Sequence, residues 1–281
     1  MRAGEHRTEC RHDCPDGRGM RPFSHIGKVI LPLVFGLLLL GLWEAVIRIN
    51  DVQPFIVPAP SAIAASLWTD GPDLLRALAV TVEVTLIALV LSAVTGVAIA
   101  VLLAQWPLAE RTFFPYAVFI QVTPIVTIAP FILIWVENIF VVLLILAWMA
   151  AVFPIISNTL LGLKSTNVNL QELFRLYGAS RWQALRHLLM PSALPYFLGG
   201  LRISGGLALI GTVVAEMVAG TSGAQSGLAS RLMEASYRLQ LPRAMACFVL
   251  LSLTGLVLYW ALKALSHRLL RPWHESARGE S

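Results

Sequence analysis

The sequence has few charged residues. Asp, Glu, Lys and Arg make up 13% of its 281 residues, whereas soluble globular proteins hold about 25%. Hydrophobic residues make up 57%, and the mean hydropathy is +0.74. This balance excludes a soluble enzyme and a disordered chain, because most of such a chain must be placed in lipid. The composition therefore predicts a protein that crosses a membrane several times.

The sequence also has few cysteines. Cys10 and Cys14 lie in a polar amino-terminal segment and Cys247 lies in an apolar run, which excludes an extracellular disulfide framework. His6 and His12 lie close to the first two cysteines, but that segment is Arg-rich and has no periodicity. We therefore expect no metal site, no cofactor and no catalytic residue.

Six apolar stretches are long enough to cross a bilayer. A helix needs about 20 residues to span a hydrocarbon core of ~30 Å, and the ten-residue alternation of barrel strands is missing from the sequence. The predicted fold is an all-α membrane protein with six transmembrane helices. The stretches run from Val29 to Ile49, Leu78 to Ala104, Phe113 to Val136, Ile139 to Ser157, Arg202 to Ala219 and Ala244 to Leu265.

Basic residues lie mainly on one side of the predicted spans. If the amino terminus is cytoplasmic, 16 of the 21 Lys and Arg residues fall on the cytoplasmic side, as the positive-inside rule requires. An even number of spans then places both termini in the cytoplasm. The net charge of +5 is explained by this topology, and we expect no nucleic-acid partner.

The terminal segments are polar. We expect residues 1–25 to be a disordered tail, residues 26–275 to form the membrane domain and residues 276–281 to be a second tail. Met20 is a candidate start, because a chain beginning there would enter its first apolar stretch within about ten residues. That stretch has no small-residue cleavage site at its end, which predicts a retained anchor rather than a signal peptide.

The third apolar stretch combines prolines with polar residues. Pro115, Pro124 and Pro130 would each bend a helix there and free backbone carbonyls. Bent helices are common in any membrane bundle, so a packing role and a solute pathway both remain open. The candidate pathway residues of this stretch are Gln121, Thr123 and Thr127.

The fifth apolar stretch carries a polar stripe that ends in a carboxylate. Ser204, Ala208, Thr212 and Glu216 recur every four residues and share one helix face. A carboxylate at the bilayer centre costs ~2.5 to 3.5 kcal/mol on insertion scales, so lipid exposure is disfavoured. Either Glu216 lines a hydrated cavity or subunit interface, or it packs against polar partners as a structural group. Thr212 and Glu216 complete the set of pathway candidates.

The segment between the fourth and fifth stretches has the pattern of two helices joined by a turn. Gln171–Tyr177 is amphipathic, and Gly178 supplies the permissive backbone that ends this first helix. Ser180 can cap a second helix that begins at Arg181, and Pro191 is expected to stop it. We call this pair of helices and its turn the elbow. An exposed segment of this kind is suited to bind in a groove of a soluble partner protein.

This segment resembles the signature of the inner-membrane permease subunits of bacterial ABC importers. That signature is Glu-Ala-Ala, three residues, Gly, nine residues, Ile, one residue and Leu-Pro. Glu172, Gly178 and Pro191 fall on its spacing. Other apolar residues replace its remaining positions, at Leu173, Phe174, Leu188 and Met190.

The resemblance covers roughly residues 26–275 and is to the nitrate, sulfonate, taurine and thiamine-precursor branch. One departure lies at Trp135 to Ile139, where that branch has a longer turn containing Phe-Gly. The similar segments are Phe55 to Ser61, Ala193 to Arg202, Val214 to Met217, Gly227-Leu228 and Leu269 to Trp273.

The resemblance implies a type I ABC importer permease in the bacterial inner membrane. It implies a dimer, most simply a homodimer, that takes solute from a periplasmic or lipid-tethered solute-binding protein. Two ABC ATPase subunits would drive it through a cytoplasmic coupling helix. The sequence has no Gly-x-x-x-x-Gly-Lys-Ser/Thr loop, so ATP hydrolysis is expected in a separate chain. The implied ATPase-coupling residues are Glu172, Gly178, Ala179, Ser180, Arg181 and Pro191.

Three other classes compete with this interpretation. A secondary carrier or channel would be favoured by an internal helix repeat or a paired intramembrane acid and base, and the sequence has neither. A membrane-embedded enzyme would gather polar catalytic groups near one membrane face, whereas the histidines lie in the tails apart from His187. A purely structural subunit remains open. The solute is also open among sulfonates, nitrate and pyrimidine-like compounds.

Overall fold

The computed structural model describes residues 25–220 and 226–271, and these residues form helices and no strand. An all-α fold is therefore confirmed for this part of the chain. The predicted tails, the candidate start at Met20 and the Cys10 and Cys14 segment lie outside it, apart from His25. The helices are α1 His25–Ile49, α2 Pro60–Thr69, α3 Gly71–Gln105, α4 Pro107–Val122, α5 Ile125–Trp135, α6 Ile139–Lys164, α7 Val168–Leu176, α8 Arg181–Ala184, α9 Met190–Ala219, α10 Leu228–Tyr237 and α11 Leu241–Leu270.

Four to five of the helical segments in the described residues can cross a membrane. By length and composition these are α3, α6, α11 and the run that joins α8 to α9, with α4 and α5 as a fifth if they count as one span. The helix α1 covers the first predicted stretch. Six spans therefore stay a prediction.

The third predicted stretch is broken rather than kinked. The axes of α4 and α5 differ by 96°, and the break lies at Thr123 and Pro124, which both have extended backbones. The cause is Pro124, because a proline ring disfavours the helical conformation of the residue before it. Pro115 and Pro130 lie inside α4 and α5 without ending them.

Helix α6 lies at the centre of the bundle, between α9 and α3. Glycines of α9 bring the two backbones close together. A Cβ placed on Gly200 would lie 2.8 Å from the Pro154 carbonyl oxygen, and one on Gly211 would lie 3.0 Å from the Ala147 Cα. Helices in lipid associate through such close packing, because burial of apolar groups gains little there.

Helices α8 and α9 form one continuous helix, and the expectation that Pro191 stops it is wrong. Between them, Leu185–Leu189 form a π-helical turn in which the Met190 N–H bonds to the Leu185 carbonyl. Pro191 follows directly, in the first turn of α9. The wider turn accommodates a proline ring that would clash with a carbonyl in a regular α-helix. The helix thus begins well before Arg202, the expected start of the fifth span.

Helix α10 lies at the end of the bundle opposite to α8, packed on α11, α9 and α3. Asp73, in the first turn of α3, accepts hydrogen bonds from Arg243 at 2.6 Å and from Arg231 at 3.4 Å. Arg231 also pairs with Glu234 of its own helix at 3.1 Å. These ion pairs attach the side of α10 to the beginning of α3 and α11.

Candidate functional site: the elbow and the pathway candidates

The elbow consists of α7, the turn at residues 177–180 and α8. Gly178 has a φ of +70°, in the left-handed region. Its N–H donates to the Arg175 carbonyl at 3.0 Å, and the Ala179 N–H donates to the Phe174 carbonyl at 3.0 Å. These two bonds make a Schellman cap, for which glycine is the preferred residue. The predicted role of Gly178 in ending the first helix is confirmed.

The second arm of the elbow begins with a capping box. The Ser180 Oγ accepts a hydrogen bond from the Gln183 N–H at 3.3 Å, and the Gln183 Oε1 accepts one from the Ser180 N–H at 2.7 Å. This exchange satisfies two N–H groups that a helix start leaves without a partner. The predicted cap at Ser180 is confirmed, and α8 begins at Arg181.

The elbow presents large apolar side chains at its surface. Leu176, Tyr177 and Trp182 are 85%, 83% and 67% exposed, and they lie on both sides of the turn. None of the nine residues of α7 is buried. Clustered exposed apolar groups mark a surface that contacts another protein or lipid. The rigid turn holds this surface in one fixed shape.

A groove of about 350 Å³ separates the elbow from the end of α3. Polar groups of Gln105, Arg175 and Arg181 border it, and Phe174 and Leu185 supply apolar walls. Five of the six predicted coupling residues lie together in the elbow, whereas Pro191 lies beyond the π-helical turn. Those five are Glu172, Gly178, Ala179, Ser180 and Arg181.

Three pathway candidates lie at the break between α4 and α5. Gln121 is near the end of α4, Thr123 is in the break and Thr127 is in the first turn of α5. The Thr123 hydroxyl donates to the Phe119 carbonyl at 2.8 Å, and the Thr127 hydroxyl donates to the Pro124 carbonyl at 2.6 Å. The threonines therefore satisfy carbonyls beside the break, and Gln121 and Thr127 are exposed at the surface of the chain.

Gln121 borders a groove of about 160 Å³ between α4, α3 and α6. The rings of Phe113, Trp148 and Phe153 line it. The Trp148 Nε1–H donates to the Thr95 hydroxyl at 2.9 Å, which fixes the indole ring. The lining of the groove is almost entirely apolar and the exposed Gln121 lies at its border, an arrangement that suits a flat molecule with one hydrogen-bonding edge.

Thr212 and Glu216 are fully buried inside the subunit. The Thr85 hydroxyl donates to the Thr212 hydroxyl at 3.1 Å, and the Thr81 hydroxyl donates to the Glu216 carboxylate at 2.8 Å. The end of the polar stripe of α9 therefore faces α3, and Glu216 packs against polar partners. A pathway role for either residue stays a proposal.

Two threonines of α3 were not among the predicted site residues. Thr81 and Thr85 lie one turn apart and are the partners of the α9 stripe. Two polar residues at helical spacing in an apolar stretch could have indicated a polar neighbour. The choice of Glu216 and Thr212 as that neighbour depends on helix packing, which the linear pattern does not contain.

Comparison with known proteins identifies the class of protein. The family model of the inner membrane component of binding-protein-dependent transport systems matches residues 92–271. The formylaminopyrimidine transport permease protein of Halalkalibacterium halodurans is 34% identical, over 88% of this chain and 97% of that protein. The riboflavin transport system permease protein of Chloroflexus aurantiacus is 30% identical, over 85% and 88%. The taurine transport system permease protein of Escherichia coli is 27% identical, over 84% and 86%.

The matched region contains the elbow, the pathway candidates and the end of α9. The resemblance to permeases of the nitrate, sulfonate and taurine branch is confirmed. Permeases of this family work with a separate ATPase and a solute-binding protein, and the apolar helices agree with a multi-pass inner membrane protein. The chain belongs to the family of binding-protein-dependent transport system inner membrane components.

Proposed function

We propose that this chain is the membrane subunit of an ATP-driven importer, in which it forms the solute pathway and its elbow contacts a separate ATPase. The observation that carries the proposal is the elbow: an exposed apolar surface at Leu176, Tyr177 and Trp182, held by a cap at each side of its turn. A segment that transmits a displacement between two chains must keep its own shape, and the two caps fulfil this requirement.

The positions of Glu172, Gly178 and Pro191 support this assignment, because they follow the spacing of the importer signature. The family match supports it as well, since members of the family depend on an ATPase in a separate chain. A secondary carrier would have no use for a capped, exposed apolar elbow. The importer therefore explains more of the molecule than a carrier or channel does.

The proposed orientation places the elbow and both termini in the cytoplasm. The distribution of Lys and Arg supports it, because 16 of 21 then lie on the cytoplasmic side. Helix α9 leads away from the elbow, so α10 lies at the periplasmic end. In this orientation the ATPase meets the elbow, and the solute-binding protein meets the opposite end of the bundle.

The proposed pathway runs along the break between α4 and α5. Gln121 and Thr127 are exposed on the surface of a single subunit, so a closed pathway along them requires a second wall. A second copy of the chain would supply that wall by symmetry. The exposure of Gln121 and Thr127 therefore favours a homodimer. The buried Thr212 and Glu216 would then support the pathway from within the subunit.

The proposed solute is a small nitrogen heteroaromatic compound. The groove beside Gln121 offers aromatic walls, and the amide at its border can both donate and accept a hydrogen bond. Two relatives that are at least 30% identical are named for formylaminopyrimidine and riboflavin. The taurine and aliphatic sulfonate relatives are 24% to 27% identical. A sulfonate would need cationic groups or several N–H donors, whereas the lining of this groove is almost entirely apolar.

Purification of the tagged chain from its native membrane, followed by mass spectrometry, tests the importer class. We expect a P-loop ATPase to co-purify, and Trp182→Ala to reduce its recovery. Trp68→Ala is the matched control, because Trp68 is 90% exposed on α2 at the other end of the bundle. Recovery of the chain without an ATPase, combined with solute transport by the chain alone in liposomes, would instead establish a secondary carrier.

A further inference from the structure

The carboxylate of Glu216 is enclosed by three helices. It lies in the last turn of α9 and has no exposed surface. One oxygen accepts a hydrogen bond from the Thr81 hydroxyl of α3 at 2.8 Å, and the other accepts one from the Ala229 N–H of α10 at 2.8 Å. The Ser230 hydroxyl also donates to the Glu216 carbonyl at 3.1 Å. Glu216 therefore joins α9 to α3 and to the start of α10.

The first N–H groups of α10 bond to side chains of other helices. The Leu228 N–H donates to the Thr81 hydroxyl at 2.8 Å, and the Ala229 N–H donates to Glu216. The residue before α10 is Gly227, which has no side chain to cap the helix itself. A helix start needs acceptors for these N–H groups and attracts negative charge. We call this arrangement of Thr81, Glu216 and the start of α10 the clasp.

The clasp requires a glycine at position 227. A Cβ at Gly227 would overlap the carboxylate carbon and both carboxylate oxygens of Glu216. The backbone φ of Gly227 is −76° and its ψ is 176°, an extended conformation open to any residue. The glycine is therefore needed for space and not for conformational freedom. Its lack of a side chain lets the carboxylate approach the end of α10.

The clasp lies at the far end of the helix that starts at the elbow. The helix runs from Arg181 to Ala219 through the π-helical turn, 39 residues in all. At ~1.5 Å per residue this corresponds to about 58 Å, more than the thickness of a hydrocarbon core. Within this length the Ser204 hydroxyl donates to the Ala151 carbonyl of α6 at 2.6 Å. One continuous element thus joins the elbow to the clasp.

We propose that Glu216, together with Thr81, is a positioning residue that makes α10 move together with α9 and α3 during transport. A displacement of the elbow by the ATPase then reaches α10 on the other side of the membrane through one helix and the clasp. The inference rests on the proposed function, since it takes the elbow as the point where the ATPase acts. As a further consequence, the position of α10, on the side where solute arrives, changes with the nucleotide state of the ATPase.

The other attachments of α10 do not replace the clasp. The ion pairs of Asp73 with Arg231 and Arg243 hold the side of α10, and α10 also packs along α11. These contacts leave its first N–H groups without acceptors from α9 and α3. Removal of the clasp should therefore leave α10 attached to α11 and, through Asp73, to the start of α3. Among the described residues, only the Ser230 hydroxyl would still bond α10 to the end of α9.

Hydrogen exchange of the complex with its co-purified ATPase tests the proposal. Exchange is followed in the elbow peptide and in the α10 peptide, before and after the complex is trapped with ATP and vanadate. In the wild type, trapping should change exchange in both peptides. Thr81→Val removes the acceptor for Leu228 and the donor to Glu216 at nearly constant volume. In this variant, exchange of the first α10 amides should rise by up to about tenfold, and trapping should change the α10 peptide less than in the wild type, because only the bonds from Glu216 still join α10 to α9.

Two control variants distinguish a role of the clasp in positioning α10 from a general contribution to the stability of the fold. Thr81→Ser keeps the hydroxyl and should restore the response of α10. Glu83→Gln changes an exposed residue of the same helix and should respond like the wild type. The proposal is overturned if α10 in Thr81→Val responds to trapping as in the wild type. It is also overturned if Thr81→Val loses its ATPase, because the pair would then be a general structural support. If trapping leaves the wild-type elbow unchanged, the proposed coupling of the elbow fails as well.

Discussion

Ser180 and Gln183 each accept a hydrogen bond from the backbone N–H of the other. Gly178, two residues before Ser180, ends the preceding helix with a φ of +70°. The two helices of the elbow are thus fixed by separate local devices with a single residue, Ala179, between them. The two caps leave the turn between them with little conformational freedom. The elbow can therefore transmit a displacement without being deformed itself.

The cap at Ser180 predicts a coupling defect on its removal. Ser180→Ala leaves the Gln183 N–H without its acceptor, which costs about 1 kcal/mol of helix stability. We expect ATP-driven uptake in proteoliposomes to fall severalfold while the protein still inserts in the membrane. Ser180→Asp keeps an acceptor at this position and should retain most of the uptake. An equal loss in both variants would show that the cap is not the relevant property.

The left-handed turn at Gly178 predicts a second, independent defect. A valine there would be strained by about 1–2 kcal/mol, although no neighbouring atom would clash with its Cβ. Gly178→Val should therefore lower the uptake achieved per ATP hydrolysed, whereas Gly178→Asn, which tolerates this conformation, should be milder.

Gly199→Val provides the control for Gly178→Val. Gly199 has no atom within 4 Å of an added Cβ and lies in the regular helix α9. Uptake and ATP hydrolysis should stay near wild-type values. A defect in Gly199→Val as large as that in Gly178→Val would show that the effect is not specific to the left-handed turn.

The close approach of α9 to α6 predicts a stability difference between two glycines of one helix. A Cβ on Gly211 would lie 2.9 Å from the Ala150 Cβ and 3.0 Å from the Ala147 Cα, whereas a Cβ on Gly206 meets no atom within 4 Å. Gly211→Ala should lower the unfolding temperature in detergent, because the helices must separate. Gly206→Ala should leave it unchanged or raise it slightly. The same shift in both variants would contradict the packing described.

The groove beside Gln121 predicts solute selectivity. Gln121→Leu removes the amide from the border of the groove and should reduce uptake of a formylaminopyrimidine in proteoliposomes with the ATPase and the solute-binding protein. Thr112→Val, on the same helix and outside the groove, should have little effect. Uptake of taurine but not of formylaminopyrimidine by the wild type would overturn the proposed solute class.

The elbow could be predicted from the sequence because its structure is local. Gly178 and Ser180 act on N–H groups within five residues of themselves, so their types and spacing are sufficient. Pro191 shows the limit of the same reasoning. A proline normally stops a helix, and here the helix continues only because a π-helical turn precedes Pro191. No simple residue pattern predicts such a turn.

The break and the clasp could not be predicted in the same way. Hydropathy gives one continuous stretch across Pro124, and the 96° angle between α4 and α5 depends on their neighbours. The clasp joins Thr81 to Glu216, 135 positions later, and to the start of α10. Such a contact depends on helix packing, so the sequence left two interpretations of Glu216 open.

Photo-crosslinking at two matched tyrosines tests the central claim most directly. Tyr177 in the elbow is 83% exposed, and Tyr237 at the end of α10 is 80% exposed. Each is replaced in turn by a photoreactive phenylalanine, and the complex is irradiated in its native membrane. The account predicts a crosslink to the ATPase from position 177 and none from position 237. A crosslink to the ATPase from position 237, with none from position 177, would contradict it.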